Sequence, residues 1–154
     1  MNKIAFSLVV LMVLCSVAAA AGSLSLTKGG RVTAEVTVAA DAPRPVAFAK
    51  RELEKYLGIL ATNGVGKAKS KVEGEQRKVQ VFISVDEKKA ELKEDGFVIE
   101  ADERGVRVVG RNPRGALYGA YEILKRYGGI RWIAPGDDCE YFTRKGDVVV
   151  PYGR

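Results

Sequence analysis

From Phe97 to Gly129 the chain spells out two strands and a helix in unbroken succession, and this stretch constrains the fold more than any other. Phe97 to Ala101 and Val106 to Gly110 are short β-type runs. Asp102-Glu103-Arg104-Gly105 joins them, and an acidic turn closed by glycine fits a hairpin. Asn112 then stands where an N-cap belongs, with Pro113 at the first helical position, where a missing N–H costs nothing. Leu117, Ala120, Tyr121 and Leu124 form an apolar stripe, and Lys125 and Arg126 complement the helix dipole in the last turn. Gly128-Gly129 stops the helix.

The residues before this block supply what a hairpin and a helix need to bury a core. Two β-type stretches flank Gly29-Gly30, and Val32, Ala34, Val36 and Val38 alternate with Thr33, Glu35 and Thr37. That period of two marks a half-buried strand. After Asp41, Pro43 and Pro45 suit a helix entry. Val46, Ala49, Leu53, Tyr56, Leu57 and Leu60 then recur at spacings of three and four, with Asn63-Gly64 and Gly66 as the stop. Residues 67–77 are polar and read as a mobile loop. Lys78 to Val85 is a strand with Val79, Val81, Ile83 and Val85 on one face and Phe82 on the other. Asp86 to Glu94 reads as a loop or a short helical turn. Beyond the second helix, Ile130 to Ile133 and Val148 to Val150 are short strands, and Ala134-Pro135-Gly136 is a turn. Strands mixed with two helices predict an α+β fold, a two-layer sandwich with both helices on one face of a mixed sheet.

The start of the chain predicts a cleavable signal peptide over residues 1–21: one lysine, an apolar run from Ile4, and alanines at 18–21. A transmembrane anchor is the rival, but no basic stop-transfer cluster follows the run. Lipidation at Cys15 is disfavoured because Leu14 is not small. The expectation is a secreted protein, periplasmic or extracellular, with one domain over 22–154 and no stable membrane insertion after cleavage. Cys139 is then the lone cysteine, so no intrachain disulfide forms and the fold rests on its core. The preferred reading of that thiol is a small buried apolar group. The formal charge of +6 includes Lys3, and 19 acidic residues intersperse the basic ones. Such a surface serves solubility, and without a basic block interleaved with aromatics nucleic acid is a poor partner.

Histidine is absent from the sequence. That removes Ser-His-Asp and Cys-His catalysis, HExxH and His-ligated zinc, and leaves paired carboxylates as the catalytic option. No residue pair is singled out, so the expectation is no catalytic, cofactor or metal site. Gly110 to Gly115 has the outline of a phosphate loop, yet Ala116-Leu117 stand where a Walker sequence needs Lys and Ser/Thr. A capped turn is the simpler reading. Asp137-Asp138-Cys139-Glu140 is acidic but lacks the alternating spacing of a calcium loop. Trp132, with Arg131 and Tyr141, forms a candidate sugar-stacking set, against a simpler role for Trp132 in the core. Arg114 is a fourth candidate for contact with a glycan or a partner.

Asp95-Gly96-Phe97, the hairpin, Arg114-Gly115 with Leu117-Tyr118-Gly119, and Arg131-Trp132 with Ala134-Pro135-Gly136 together resemble the N-terminal domain of bacterial α-glucuronidases, glycoside hydrolase family 67. The stretch is also similar to the related second domain of family 20 β-hexosaminidases. It looks most similar to the form found at the front of large secreted bacterial proteins of the glycosidase type. Ala49 to Leu57 resembles the first helix of that domain, and the similarity takes in most of residues 25–151. The resemblance implies an accessory domain in a carbohydrate-active system that supports polysaccharide degradation. It places the catalytic acid and base in a following (β/α)8 barrel of about 250 residues, and it carries no catalytic residue over to this chain. Three readings stay open: a module that packs on a glycosidase barrel, a stand-alone carbohydrate-binding module, and a small hydrolase of the α-glucuronidase type working through carboxylates alone.

Overall fold

A computed structural model describes residues 22–63, 78–134, 139–143 and 146–154. The leader at 1–21, the helix stop at Gly64 and Gly66, the loop at 67–77, and residues 135–138 of the turn and acidic cluster lie outside these residues. The elements run β1 (Ser23–Ser25), β2 (Thr27–Lys28), β3 (Arg31–Val32), β4 (Ala34–Thr37), α1 (Arg44–Asn63), β5 (Val79–Val85), β6 (Phe97–Asp102), β7 (Gly105–Gly110), α2 (Pro113–Arg126), β8 (Ile130–Trp132), β9 (Glu140–Phe142) and β10 (Val149–Pro151).

The central sheet has the order β4-β5-β7-β6. β4, β5 and β7 are parallel, and β6 closes one edge antiparallel to β7. Register puts Val36, Val81, Val106 and Ala101 in one row and Ile83, Val108 and Ile99 in the next, all facing the helices. Val81, Val106 and Val108 are fully buried there, against Leu53, Leu57, Ile123 and Leu124. The fold is therefore the expected α+β sandwich, with both helices on one face.

The period-two run through Val32 divides at Thr33. Val32 pairs with Thr27 in a small hairpin, while Val36 pairs with Val81 in the central sheet. Gly29 and Gly30 take φ of 56° and 84° at the tip of that hairpin, a backbone that glycine adopts freely. Thr27 is fully buried, and its hydroxyl accepts the Val148 N–H at 2.8 Å, tying the end of the chain to its beginning. β1 and β10 pair alongside, with Leu24 opposite Val150. Gly153 exchanges two hydrogen bonds with Ala101 on the outer edge of β6, which shields part of that edge. The stretch 86–94 forms turns, without a helix.

Helix α2 corrects the stripe expected from apolar residues. Its buried face is Gly115, Ala116, Gly119, Ala120, Ile123 and Leu124, while Leu117 and Tyr121 lie at the border. Ala120 and Leu124 hold from the expected stripe, Ala116 and Ile123 join them, and Gly115 and Gly119 escape such a pattern because glycine counts as neither polar nor apolar. A Cβ on Gly119 would stand 2.4 Å from Val108 Cγ1, so the small residues set how closely the helix lies on the sheet.

Candidate functional site

The start of α2 is a closed polar knot. The Asn112 side chain accepts the Gly115 N–H at 2.7 Å and donates to Asp95 at 2.8 Å. Asp95 sits at φ 59°, and its other carboxylate oxygen lies 2.5 Å from the Arg114 guanidinium. That hydrogen bond to Arg114, then the one from Asn112, holds the Asp95 carboxyl below its ordinary range. Arg111 donates its N–H to the Gly96 carbonyl at 2.9 Å and its guanidinium to the Leu92 carbonyl. Asn112 takes a free N–H of the first turn, and Asn112 and Arg114 in turn hold the protein's own carboxylate, Asp95. The outline of a phosphate loop is thus a capped turn, and Arg114 is spent on fixing it.

The other three candidates sit near the far end of α2, on two faces of the β8–β9 ribbon. Register pairs Arg131 with Tyr141 and Trp132 with Glu140. Alternation then turns Arg131, Tyr141 and Ile133 outward and Trp132 inward. Arg131 caps the end of the helix by donating to the Lys125 carbonyl at 3.1 Å. Cys139 is only partly buried, a correction to the buried thiol expected, and its carbonyl accepts the Ile133 N–H at 3.0 Å.

Trp132 meets Tyr56 of α1 and Tyr121 of α2 edge-on, at centroid distances of 5.5 and 5.1 Å and near-perpendicular planes. Its indole N–H donates to the Tyr56 hydroxyl at 3.3 Å. Tyr56 donates in turn to Glu140, and Tyr121 donates to Glu52 at 2.8 Å. Trp132 therefore belongs to the junction that fastens the ribbon to both helices. The four-residue contact set does not come together: Arg114 and Arg131 support opposite ends of one helix, and Trp132 faces away from Tyr141.

The sequence reading missed this aromatic–carboxylate cluster. Its signal was present, because a tyrosine in a buried stripe needs a partner for its hydroxyl. Burial and then the bond to Glu140 push the Tyr56 hydroxyl up, and burial and then the bond to Glu52 do the same for Tyr121. Both tyrosines are therefore neutral donors at physiological pH, and the Glu52 and Glu140 side chains accept their hydrogen bonds. Among the described residues no group of three or more potential metal ligands occurs.

A pH dependence follows. A folded-state pKa raised above the unfolded value of about 10 favours the folded protein while the tyrosine stays protonated. The contribution is complete below pH 10 and is lost as pH climbs through the folded value. The midpoint of urea unfolding is expected to stay level between pH 7 and 9 on this account and to fall above 10. Tyr121→Phe is expected to start lower and fall less steeply, and an equal slope for both proteins would contradict the assignment.

The sequence model of the family described as glycosyl hydrolase family 67 N-terminus matches residues 25–123. α-Glucuronidase A of Aspergillus tubingensis is 56% identical over an aligned stretch that takes in 36% of this chain and 8% of that protein. A solved GH138 enzyme targeting pectin rhamnogalacturonan II shares 20% identity at a TM-score of 0.42, over 59% of this chain and 12% of that one. The chain thus spans a small part of each of these larger proteins.

Proposed function

The chain belongs to the glycosyl hydrolase family 67 N-terminal family, and from that premise we propose that it is a non-catalytic accessory domain of a secreted glycoside hydrolase system. In this reading it packs against a catalytic barrel, which carries the acid and base, and so supports polysaccharide degradation. In this reading the role is played outside the cytoplasm, which the leader-like pattern of residues 1–21 supports.

The observation that carries the interaction is the outer face of the β8–β9 ribbon. Ile133 is 70% exposed and Tyr141 62%, higher than any other large apolar side chain among the described residues. They stand together on a face that the core does not use, on a ribbon whose inner side is locked by Trp132. A rigid element that presents paired apolar side chains to water suits contact with another domain. The non-catalytic part of the reading rests on Glu52 and Glu140, which tyrosines hold.

The test is a chimera. The stretch of α-glucuronidase A that aligns with this chain is replaced by this chain's residues. Activity within about threefold of the parent is expected, since an accessory domain contributes fold and contact rather than chemistry. A chimera that folds, by circular dichroism, but has lost activity a hundredfold would count against the role.

A further inference from the structure

The face of the central sheet opposite the helices carries a second site. Register places Thr37, Phe82, Arg107 and Glu100 in one row across all four strands, with Glu35 and Gln80 in the row beside it. Phe82 is 44% exposed in the middle of that face. Polar side chains surround the ring and are already paired. Gln80 donates to Glu35 at 3.1 Å, Arg107 lies 3.4 Å from both Glu100 and Asp102, and Arg104 lies 2.9 Å from Asp102. Phe82, Asp102, Arg104, Gly105 and Arg107 line a shallow depression. At its rim Gly105, at φ 148°, lets the hairpin lie close on β5, since a Cβ there would stand 2.3 Å from the Gln80 carbonyl oxygen.

We propose that this face binds a neutral polysaccharide chain, with Phe82 stacking on the C–H face of one sugar ring and Arg107, Gln80 and Glu35 bonding its hydroxyls. The proposal rests on the accessory role above and names the substrate class it serves. Three features of the face favour a glycan. A flat aromatic ring set among planar donors and acceptors matches the alternation of C–H faces and hydroxyls on a pyranose. The charges cancel locally, with Arg104, Arg107, Lys89 and Arg154 against Glu100, Asp102, Glu91 and Glu35, so neither a polyuronate nor a nucleic acid finds the excess of positive charge it needs. A domain interface would want a contiguous apolar centre, and here one ring stands alone among charges.

The test is affinity electrophoresis of the purified chain in gels cast with neutral arabinoxylan, barley β-glucan or galactomannan, and with polygalacturonate as the anionic comparison. Retardation by at least one neutral polymer is expected. Phe82→Ala is expected to weaken it at least about tenfold and Phe82→Trp to preserve it, while Tyr141→Ala on the ribbon leaves it unchanged. Phe82 is solvent-facing, so the variants should fold, and thermal unfolding checks that they do. No retardation by any neutral polymer, retardation by polygalacturonate alone, or equal retardation of Phe82→Ala overturns the proposal. Self-association in sedimentation that disappears with Phe82→Ala would assign the face to protein contact and overturn it as well. None of these results touches the accessory role, which the chimera decides separately.

Discussion

Gly110→Ala is expected to cost the domain about 3 kcal/mol or more, the top of the range for overpacking, and the substituted protein should be largely unfolded at 37 °C. Gly110 ends β7, opposite Phe97, and its carbonyl accepts the Asp86 N–H at 2.9 Å. A Cβ there would stand 2.1 Å from the Ala116 nitrogen, 2.7 Å from its Cα and 2.7 Å from the Asn112 carbonyl oxygen. All three are backbone atoms, so no rotamer change relieves the clash, and the first turn of α2 must lift from the sheet. That movement would also break the Asn112 cap and the Asp95–Arg114 pair. Gly58→Ala, inside α1 with nothing within 4 Å of its Cβ, is the contrasting substitution. It is expected to stabilise by about 0.5–1 kcal/mol through helix propensity. Urea melts of the two proteins read the difference, and a Gly110→Ala protein as stable as its parent would refute the packing described at the start of α2.

Leu57→Ala is expected to cost about 2–5 kcal/mol. Leu57 is fully buried in the core between the two helices and the sheet. Truncation removes three carbons and leaves a cavity that the rigid sheet below does not fill, so transfer and cavity contributions add. Cys139 is the one cysteine among the described residues and is free, and the loss is a large share of the total stability of a domain this size. Tyr141→Ser, on the outer face of the ribbon, is expected to change stability by less than about 0.5 kcal/mol. Equal losses for the two would mean that the ribbon face is part of the core and would undercut its role as a contact surface.

The elements that were legible in the sequence are those whose signals are local. Asn112-Pro113 marked the start of α2, and alternation with a glycine-closed turn marked the β6–β7 hairpin. α1 was legible because the six residues that set its spacing, Val46, Ala49, Leu53, Tyr56, Leu57 and Leu60, all lie on the buried face. What failed was set by long-range contact. β9 is three residues long with Tyr141 pointing to water, and only pairing with β8 makes it a strand. The break of the early strand at Thr33 reflects a change of partner from β2 to β5, which no local pattern encodes. The buried glycines of α2 look like helix breakers until the sheet lies beneath them.

The candidate site was legible in composition and not in arrangement. Arg114, Arg131, Trp132 and Tyr141 were expected as one set for contact with a glycan or a partner, and the fold places them apart: Arg114 holds Asp95, Arg131 caps α2, Trp132 locks the ribbon, and Tyr141 faces outward. The tyrosine–carboxylate pairs join residues 69 and 84 positions apart, beyond the reach of any spacing rule. Phe82 was assigned to the correct face of its strand, and its row of polar neighbours emerged only from register.

The central claim is that the chemistry of this glycosidase-family domain lies outside the chain itself. The most direct measurement incubates the purified protein with 4-O-methylglucuronoxylan and with glucuronic-acid-substituted xylo-oligosaccharides and quantifies released uronic acid by chromatography. The account predicts release no greater than the buffer blank at any protein concentration. Release that rises in proportion to protein, and disappears with Glu52→Gln or Glu140→Gln in a folded variant, would contradict it.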